Sequence, residues 1–222
     1  MNLALFDLDH TLIPMDSDHA FGEFLVARGL ADAPTHRAAN DAFYADYLAG
    51  RLDMTAYVEF ATRAWRDLDA TRQGELSDAF MREIVAPRVH DSARALVQRH
   101  RDRGDRLLIV TATNEFVTAP IARAFGVDVL IATALERDAS GRVTGRIQGI
   151  PNLGAGKVHN VAAWLAAQGL SWSDVRCSTC YSDSTNDLPL LEQVHHPVAT
   201  NPGAELERIA QARAWPILRL FA

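Results

Sequence analysis

The pentapeptide Asp7-Leu8-Asp9-His10-Thr11 sets two carboxylates and a hydroxyl directly behind the apolar run Leu3-Ala4-Leu5-Phe6. That run reads as a strand, so the acids leave its C-terminal end. Paired negative charge is costly there unless a cation binds between the carboxylates. In open α/β sheets the same edge is where ligands bind. The chemistry to expect is an acidic, metal-dependent site. A turn rich in Asp and Thr, closing a loop with its own side chains, is the plain structural alternative.

Three more groups follow in chain order. Thr111 ends the buried-type run Leu107-Leu108-Ile109-Val110, where its hydroxyl and the next amides suit phosphate oxygens. Lys157 opens a helix behind Gly154-Ala155-Gly156, near the positive end of the helix dipole. Of the 22 Lys and Arg residues it is the only lysine. A compact ammonium between phosphate and carboxylate is a task that arginine does not perform equally. Asp183 and Asp187 follow the strand-like stretch 175–181 and add the oxygen ligands that suit Mg²⁺.

The elements that must position these groups alternate. Residues 3–12 read as strand. Residues 16–87 read as helix, with apolar faces at Phe21/Phe24/Leu25/Val26, Phe43/Tyr44/Tyr47/Leu48, Tyr57/Ala61/Ala64/Trp65/Leu68 and Leu76/Phe80/Met81/Ile84. Asp53 and Thr71 are plausible helix starts, and the aromatic residues are expected to form a helical-bundle core. Beyond Pro87 come a helix from Asp91 to Arg103, strands at 107–110 and 127–132, and a hairpin over 136–148. A helix over 157–168, the strand 175–181, a short strand 197–199, a helix over 204–212 and a last strand over 215–220 complete the pattern. Alternation of this kind predicts an α/β fold: a Rossmann-like three-layer α/β/α core with a mostly parallel sheet. Residues 1–15 and 88–222 form that core, and residues 16–87 form an inserted α-helical domain. A parallel sheet gathers its strand C-termini on one edge, where the four groups can meet.

Composition excludes several classes. At 222 residues, 48% hydrophobic and 23% charged, the chain can bury a sizeable core. A net charge of −6 gives no basic footprint for nucleic acid. No stretch approaches the roughly 20 apolar residues of a membrane span. The N-terminus lacks a basic leader and Asp7 interrupts its apolar run, so a cytoplasmic protein is expected. Cys177 and Cys180 lie three apart on a strand and point to opposite faces, which suits neither a dithiol nor a shared metal; two structural cysteines are expected.

The motifs Asp7-Leu8-Asp9-His10-Thr11-Leu12, Val110-Thr111-Ala112, Lys157 and Ser182-Asp183-Ser184-Thr185-Asn186-Asp187 resemble the four motifs of the haloacid dehalogenase-like (HAD) phosphohydrolases. The helical insertion resembles that family's C1-type cap, and the nearest branch is phosphoserine phosphatase-like. The resemblance implies a Mg²⁺-dependent phosphatase that hydrolyses a small phosphorylated metabolite through an aspartyl-phosphate. It makes Asp7 the nucleophile and Asp9 the general acid and base. It gives Mg²⁺ to Asp7, Asp183 and the main-chain carbonyl of Asp9, with Asp187 behind them. Thr111, Ala112 and Lys157 would hold the phosphoryl group. Asp16, His19 and Asn186 are the candidate substrate contacts, with Asp18 beside them.

Two departures bear on the substrate. Ser182 stands where the family often has glycine. Aligning Gly50-Arg51-Leu52 with the family places Ala61 where a cap arginine would grip a substrate carboxylate, with Arg63 near in sequence. Without that guanidinium, phosphoserine is disfavoured against another small phosphomonoester. Three competing readings are a phospho-acceptor signalling module, a non-catalytic HAD-fold binding protein and a dehalogenase. The oligomeric state is left open.

Overall fold

The computed structural model of the chain describes residues 1–221. The elements run β1 (Asn2–Phe6), α1 (Ser17–Ala27), α2 (Ala33–Leu48), α3 (Met54–Arg63), α4 (Ala70–Phe80), α5 (Asp91–Asp102), β2 (Arg106–Asn114) and α6 (Glu115–Ala124). They continue with β3 (Val129–Thr133), β4 (Leu135–Arg137), β5 (Val143–Ile147), α7 (Ala155–Ala166), β6 (Cys177–Ser182), α8 (Leu188–Gln193), β7 (His196–Thr200), α9 (Ala204–Ala212) and β8 (Ile217–Leu218). A π-helical turn, Met81–Val85, extends α4.

Six strands form one parallel sheet in the order β3-β2-β1-β6-β7-β8. Its side chains alternate between two cores. Ala4, Phe6, Leu107 and Ile109 face one side, packed with Phe21, Leu96 and Ile121 of α1, α5 and α6. Leu3, Leu5, Leu108 and Val110 face the other, packed with Val161, Leu191 and Leu206 of α7, α8 and α9. This period-two split on central strands, with helices on both faces, is the three-layer α/β/α arrangement. The chain winds outward from β1 through β2 and β3, then crosses back to lay β6 on the other side of β1. That reversal opens a crevice at the C-terminal ends of β1 and β6.

Several boundaries differ from the expected ones. The first strand ends at Phe6, because the amides of Thr11, Leu12 and Ile13 all turn onto the Leu8 carbonyl. The last strand shrinks to Ile217–Leu218. Asp53 caps α3 by accepting from the Thr55 and Ala56 amides, whereas α4 is capped by Asp69 rather than opened at Thr71. The hairpin forms as β4 and β5, antiparallel, and packs against α3. Cys177 and Cys180 are both free thiols. Among the described residues no helix is long and apolar enough to cross a membrane.

Candidate active site

Asp7 leaves β1 still paired to the sheet, its amide donating to the Tyr181 carbonyl at 2.9 Å. Its side chain is buried, and the Lys157 ammonium donates to Asp7 Oδ1 at 2.8 Å. The same Nζ donates to Asp187 Oδ2 at 2.7 Å. Lys157 is only 1% exposed, so this is a desolvated ion triplet rather than a surface pair. Burial works against the Lys157 charge, but Asp187 and Asp7 outweigh it and raise its pKa. Ser182 donates to Asp187 Oδ2 at 2.8 Å. The serine at the position where the resemblance suggests glycine thus helps hold the carboxylate that orients the lysine.

Local backbone explains how the lysine reaches that point. Gly154 adopts φ 56° at the start of α7. A Cβ on Gly156 would sit 2.0 Å from the Pro151 carbonyl oxygen, so only glycine admits this close approach. Buried Asn152 fastens the same loop to the sheet, its side-chain amide donating to the carbonyls of Thr111 and Ile131 at 2.8 Å each.

Asp183 faces Asp7 across the Thr11 hydroxyl, which lies 3.2 Å from Asp183 Oδ1 and 3.4 Å from Asp7 Oδ2. Burial, reinforced by Asp7 and Asp187, pushes the Asp183 pKa well above the ordinary carboxylate value. Among the described residues no group of three or more His, Cys, Asp or Glu side chains forms a metal cage. Mg²⁺ does not need one: it takes one or two carboxylates and fills its octahedron with water and substrate oxygens. Asp7, Asp183 and Asp187 share the single Lys157 ammonium, which leaves negative charge for a cation, so Asp7, Asp183 and the Asp9 main-chain carbonyl could hold the ion.

Both oxygens of Asp9 are fixed. The Ser17 amide donates to Oδ1 at 2.8 Å and the Thr113 hydroxyl donates to Oδ2 at 2.9 Å. Burial and the nearby Asp16 carboxylate push Asp9 up to about 6, against the pull of these two hydrogen bonds. A carboxyl near 6 can give and take a proton around neutral pH. Thr113 stands outside the four motifs; its place two residues after Thr111, on the same face of β2, is the available signal.

A cavity lies between these strand ends and α1–α3. Asp7, Asp9, Thr111 and Ala112 line one wall. Asp16, Asp18 and His19 of the α1 region line another, with Phe43, Tyr44, Tyr47 and Tyr57. The expectation that the aromatic residues form a bundle core therefore divides. Phe21, Phe24, Phe80 and Trp65 are core, whereas those four line the cavity because their helix faces overhang the strand ends. Asp16 is the N-cap of α1, accepting from the His19 amide at 2.7 Å, and the His19 ring pairs with Asp41 at 2.9 Å. Asn186 is turned to the helical segment instead, donating to the Tyr47 carbonyl at 3.1 Å. Among the described residues no arginine or lysine lines the cavity: Arg63 is exposed and pairs with Glu59.

A model of the haloacid dehalogenase-like hydrolases matches residues 4–192. The chain belongs to that family. A histidinol-phosphatase of Neisseria meningitidis is 42% identical to this HAD hydrolase over 98% of both chains. The phosphoserine phosphatase SerB1 of Mycobacterium tuberculosis is 35% identical, covering 96% of this chain and 69% of its own length. A Bordetella pertussis structure of unknown function superimposes with a TM-score of 0.93 at 46% identity, over 99% of both chains. A substrate-bound phosphoserine phosphatase shares the fold, with a TM-score of 0.68 at 16% identity over 98% of this chain and 92% of its own. With relatives of this kind the HAD hydrolase is a phosphatase, and the signalling, silent-binding and dehalogenase readings give way.

Proposed function

We propose that the protein is a Mg²⁺-dependent phosphatase that hydrolyses the phosphomonoester of a small amino alcohol, with L-histidinol phosphate as the candidate substrate, through an aspartyl-phosphate on Asp7. The observation that carries the chemical step is the buried Lys157 ammonium shared between Asp7 and Asp187. It neutralises charge where a phosphoryl group would meet the nucleophile. Phosphoryl transfer is mostly positioning and charge stabilisation, and this arrangement supplies both.

In the first half-reaction an Asp7 oxygen attacks phosphorus and the bond from phosphorus to the ester oxygen breaks. Asp9 gives its proton to that departing oxygen. In the second half-reaction a water attacks the aspartyl-phosphate, Asp9 takes the water's proton, and Asp7 is released with inorganic phosphate. Lys157, the Thr111 hydroxyl and the Ala112 amide hold the non-bridging oxygens. Mg²⁺, when bound by Asp7, Asp183 and the Asp9 carbonyl, supplies further neutralisation of the phosphoryl charge. Residues 16–87 act as a cap that shields the site from bulk water, closed through the Asn186–Tyr47 contact.

Two things support the choice of alcohol. The cavity offers no guanidinium to a substrate carboxylate, which phosphoserine carries and histidinol phosphate does not. The Neisseria relative, similar along its whole length, is named for the latter. Phosphate release from a panel of phosphomonoesters, with and without Mg²⁺, is the test. L-Histidinol phosphate is expected to give the highest kcat/KM, EDTA to abolish turnover reversibly, and Asp7→Asn to abolish it outright. Turnover by Asp7→Asn would remove the covalent mechanism, and a preference for phosphoserine would remove the substrate assignment.

A further inference from the structure

Behind the catalytic cavity lies a smaller, narrow chamber. Asp18, Asn40 and Tyr57 belong to both spaces, and His36 and Ala61 line only the chamber. Ala61 is the position at which the family resemblance anticipates an arginine. With a methyl group there, the space a guanidinium would fill is open to Asp18.

Asp18 is an anomalous carboxylate. It is 7% exposed and has no cationic partner among the described residues. The Asn114 side-chain amide lies 3.4 and 3.5 Å from its two oxygens, the outer limit of a hydrogen bond. That amide cannot adapt: Asn114 Oδ1 is committed to capping α6 through the Phe116 and Val117 amides. The Tyr57 hydroxyl also lies against Asp18. Buried carboxylates are normally paired with a cation, and one held only by neutral donors calls for an explanation.

A second and independent sign is His36. It is 8% exposed, stacks on Phe60 at 4.6 Å, and its Nε2 has no hydrogen-bond partner. Burial keeps the ring neutral, so this nitrogen is free to bond to a polar group entering the chamber. An unsatisfied ring nitrogen and a buried carboxyl held only by neutral donors, on one chamber, are complementary to a protonated nitrogen with its N–H groups, which would draw Asp18 into its charged form.

We propose that Asp18 is the specificity-determining residue of this phosphatase, receiving a protonated nitrogen of the substrate at the mouth of the chamber lined by His36. This rests on the reading of the protein as a phosphatase of amino alcohol phosphates. It adds the residue that enforces the choice. Asp18 takes no part in the bond changes at phosphorus; it ties down the end of the alcohol remote from them. It selects for positive charge where an arginine would have selected for a carboxylate.

The test compares two esters on the Mg²⁺-loaded protein: L-histidinol phosphate, and p-nitrophenyl phosphate, which has no cationic nitrogen. The readout is the ratio of their kcat/KM values. Asp18→Asn is expected to lower that ratio at least 10-fold, mainly through KM for the amine, and Asp18→Glu to recover part of it. An unchanged ratio in Asp18→Asn would overturn the assignment while leaving the phosphatase intact. If the wild-type protein cleaves p-nitrophenyl phosphate but not L-histidinol phosphate, the amino alcohol reading itself fails, and Asp18 with it. A measurement that needs no variant uses L-histidinol and 3-phenylpropan-1-ol as inhibitors of p-nitrophenyl phosphate hydrolysis. The amine is expected to inhibit at least 10-fold more strongly; equal inhibition would also overturn the proposal.

Discussion

The Thr113 hydroxyl lies 2.9 Å from Asp9 Oδ2 and joins the second strand of the chain to the acid that follows the first. With the Ser17 amide on the other oxygen, Asp9 has one available orientation. A proton donor to a departing oxygen must be aimed as well as acidic, because misplacement by about 1 Å can cost 100-fold in rate.

Thr113→Val removes the aim on one side. The hydrogen bond from Thr113 favours the charged form of Asp9, so its loss moves the Asp9 pKa up from about 6. In the proposed role of general acid Asp9 must be protonated, so activity would fall as pH rises through its pKa. The alkaline limb of the kcat/KM profile is therefore expected to move to higher pH in the variant, with kcat reduced about 10-fold. A pH–rate series on both proteins checks this, and a limb that stays in place would separate Thr113 from the proton transfer.

The Asp9–Thr113 relation also marks the limit of what the sequence made legible. Strands announced themselves as apolar runs, and a parallel sheet gathers their C-termini on one edge. The pattern of strands therefore suffices to bring Asp7, Thr111, Lys157 and Asp183 near one another. What remained hidden depends on tertiary reach. Asn152 and Ser182 are ordinary polar residues until the fold sets them beside the Thr111 carbonyl and the Asp187 carboxylate. The cavity-lining role of Tyr44, Tyr47 and Tyr57 was masked because a helical stripe of aromatics looks the same whether it covers a core or a cleft.

Lys157→Arg is expected to fail although it keeps the charge. At 1% exposure, between Asp7 and Asp187, there is no room for a planar guanidinium without moving one carboxylate. The loss in kcat should reach at least 100-fold. Lys157→Met should in addition destabilise the fold by about 3–5 kcal/mol, because it strands two buried carboxylates. Steady-state kinetics and denaturant unfolding measure the two effects separately.

Gly156→Ala tests whether the loop before α7 is needed to aim that lysine. The added methyl group would collide with the Pro151 carbonyl, a rigid backbone atom that cannot swing aside. The loop must shift, carrying Lys157 with it. Activity is expected to drop by about 10-fold or more with only a modest change in melting temperature. Gly74→Ala is the control: its Cβ meets nothing within 4 Å, so activity should hold while the melting temperature rises slightly, alanine being the better residue inside an exposed helix.

Asp18 couples recognition to stability, and the sign of the coupling is testable. Burial, with help from Asp16, pushes the Asp18 pKa up to about 8 in the folded protein, from 3.8 when the chain is unfolded. Between those values the folded state keeps a proton that the unfolded state gives up. Stability therefore falls as pH rises from about 4 to about 8, and levels off above that. Asp18→Asn replaces the carboxyl with a neutral group of the same shape and removes this loss. In EDTA the variant is expected to melt close to wild type near pH 4 and several degrees higher near pH 8.5, at about 2–4 °C for each kcal/mol recovered. Melting curves across that pH range decide it. A difference that is constant with pH would mean that Asp18 is not held as a buried, ionisable group. The expected divergence would mean that Asp18 keeps its proton in the empty site and that a cation received there would draw it into the charged form.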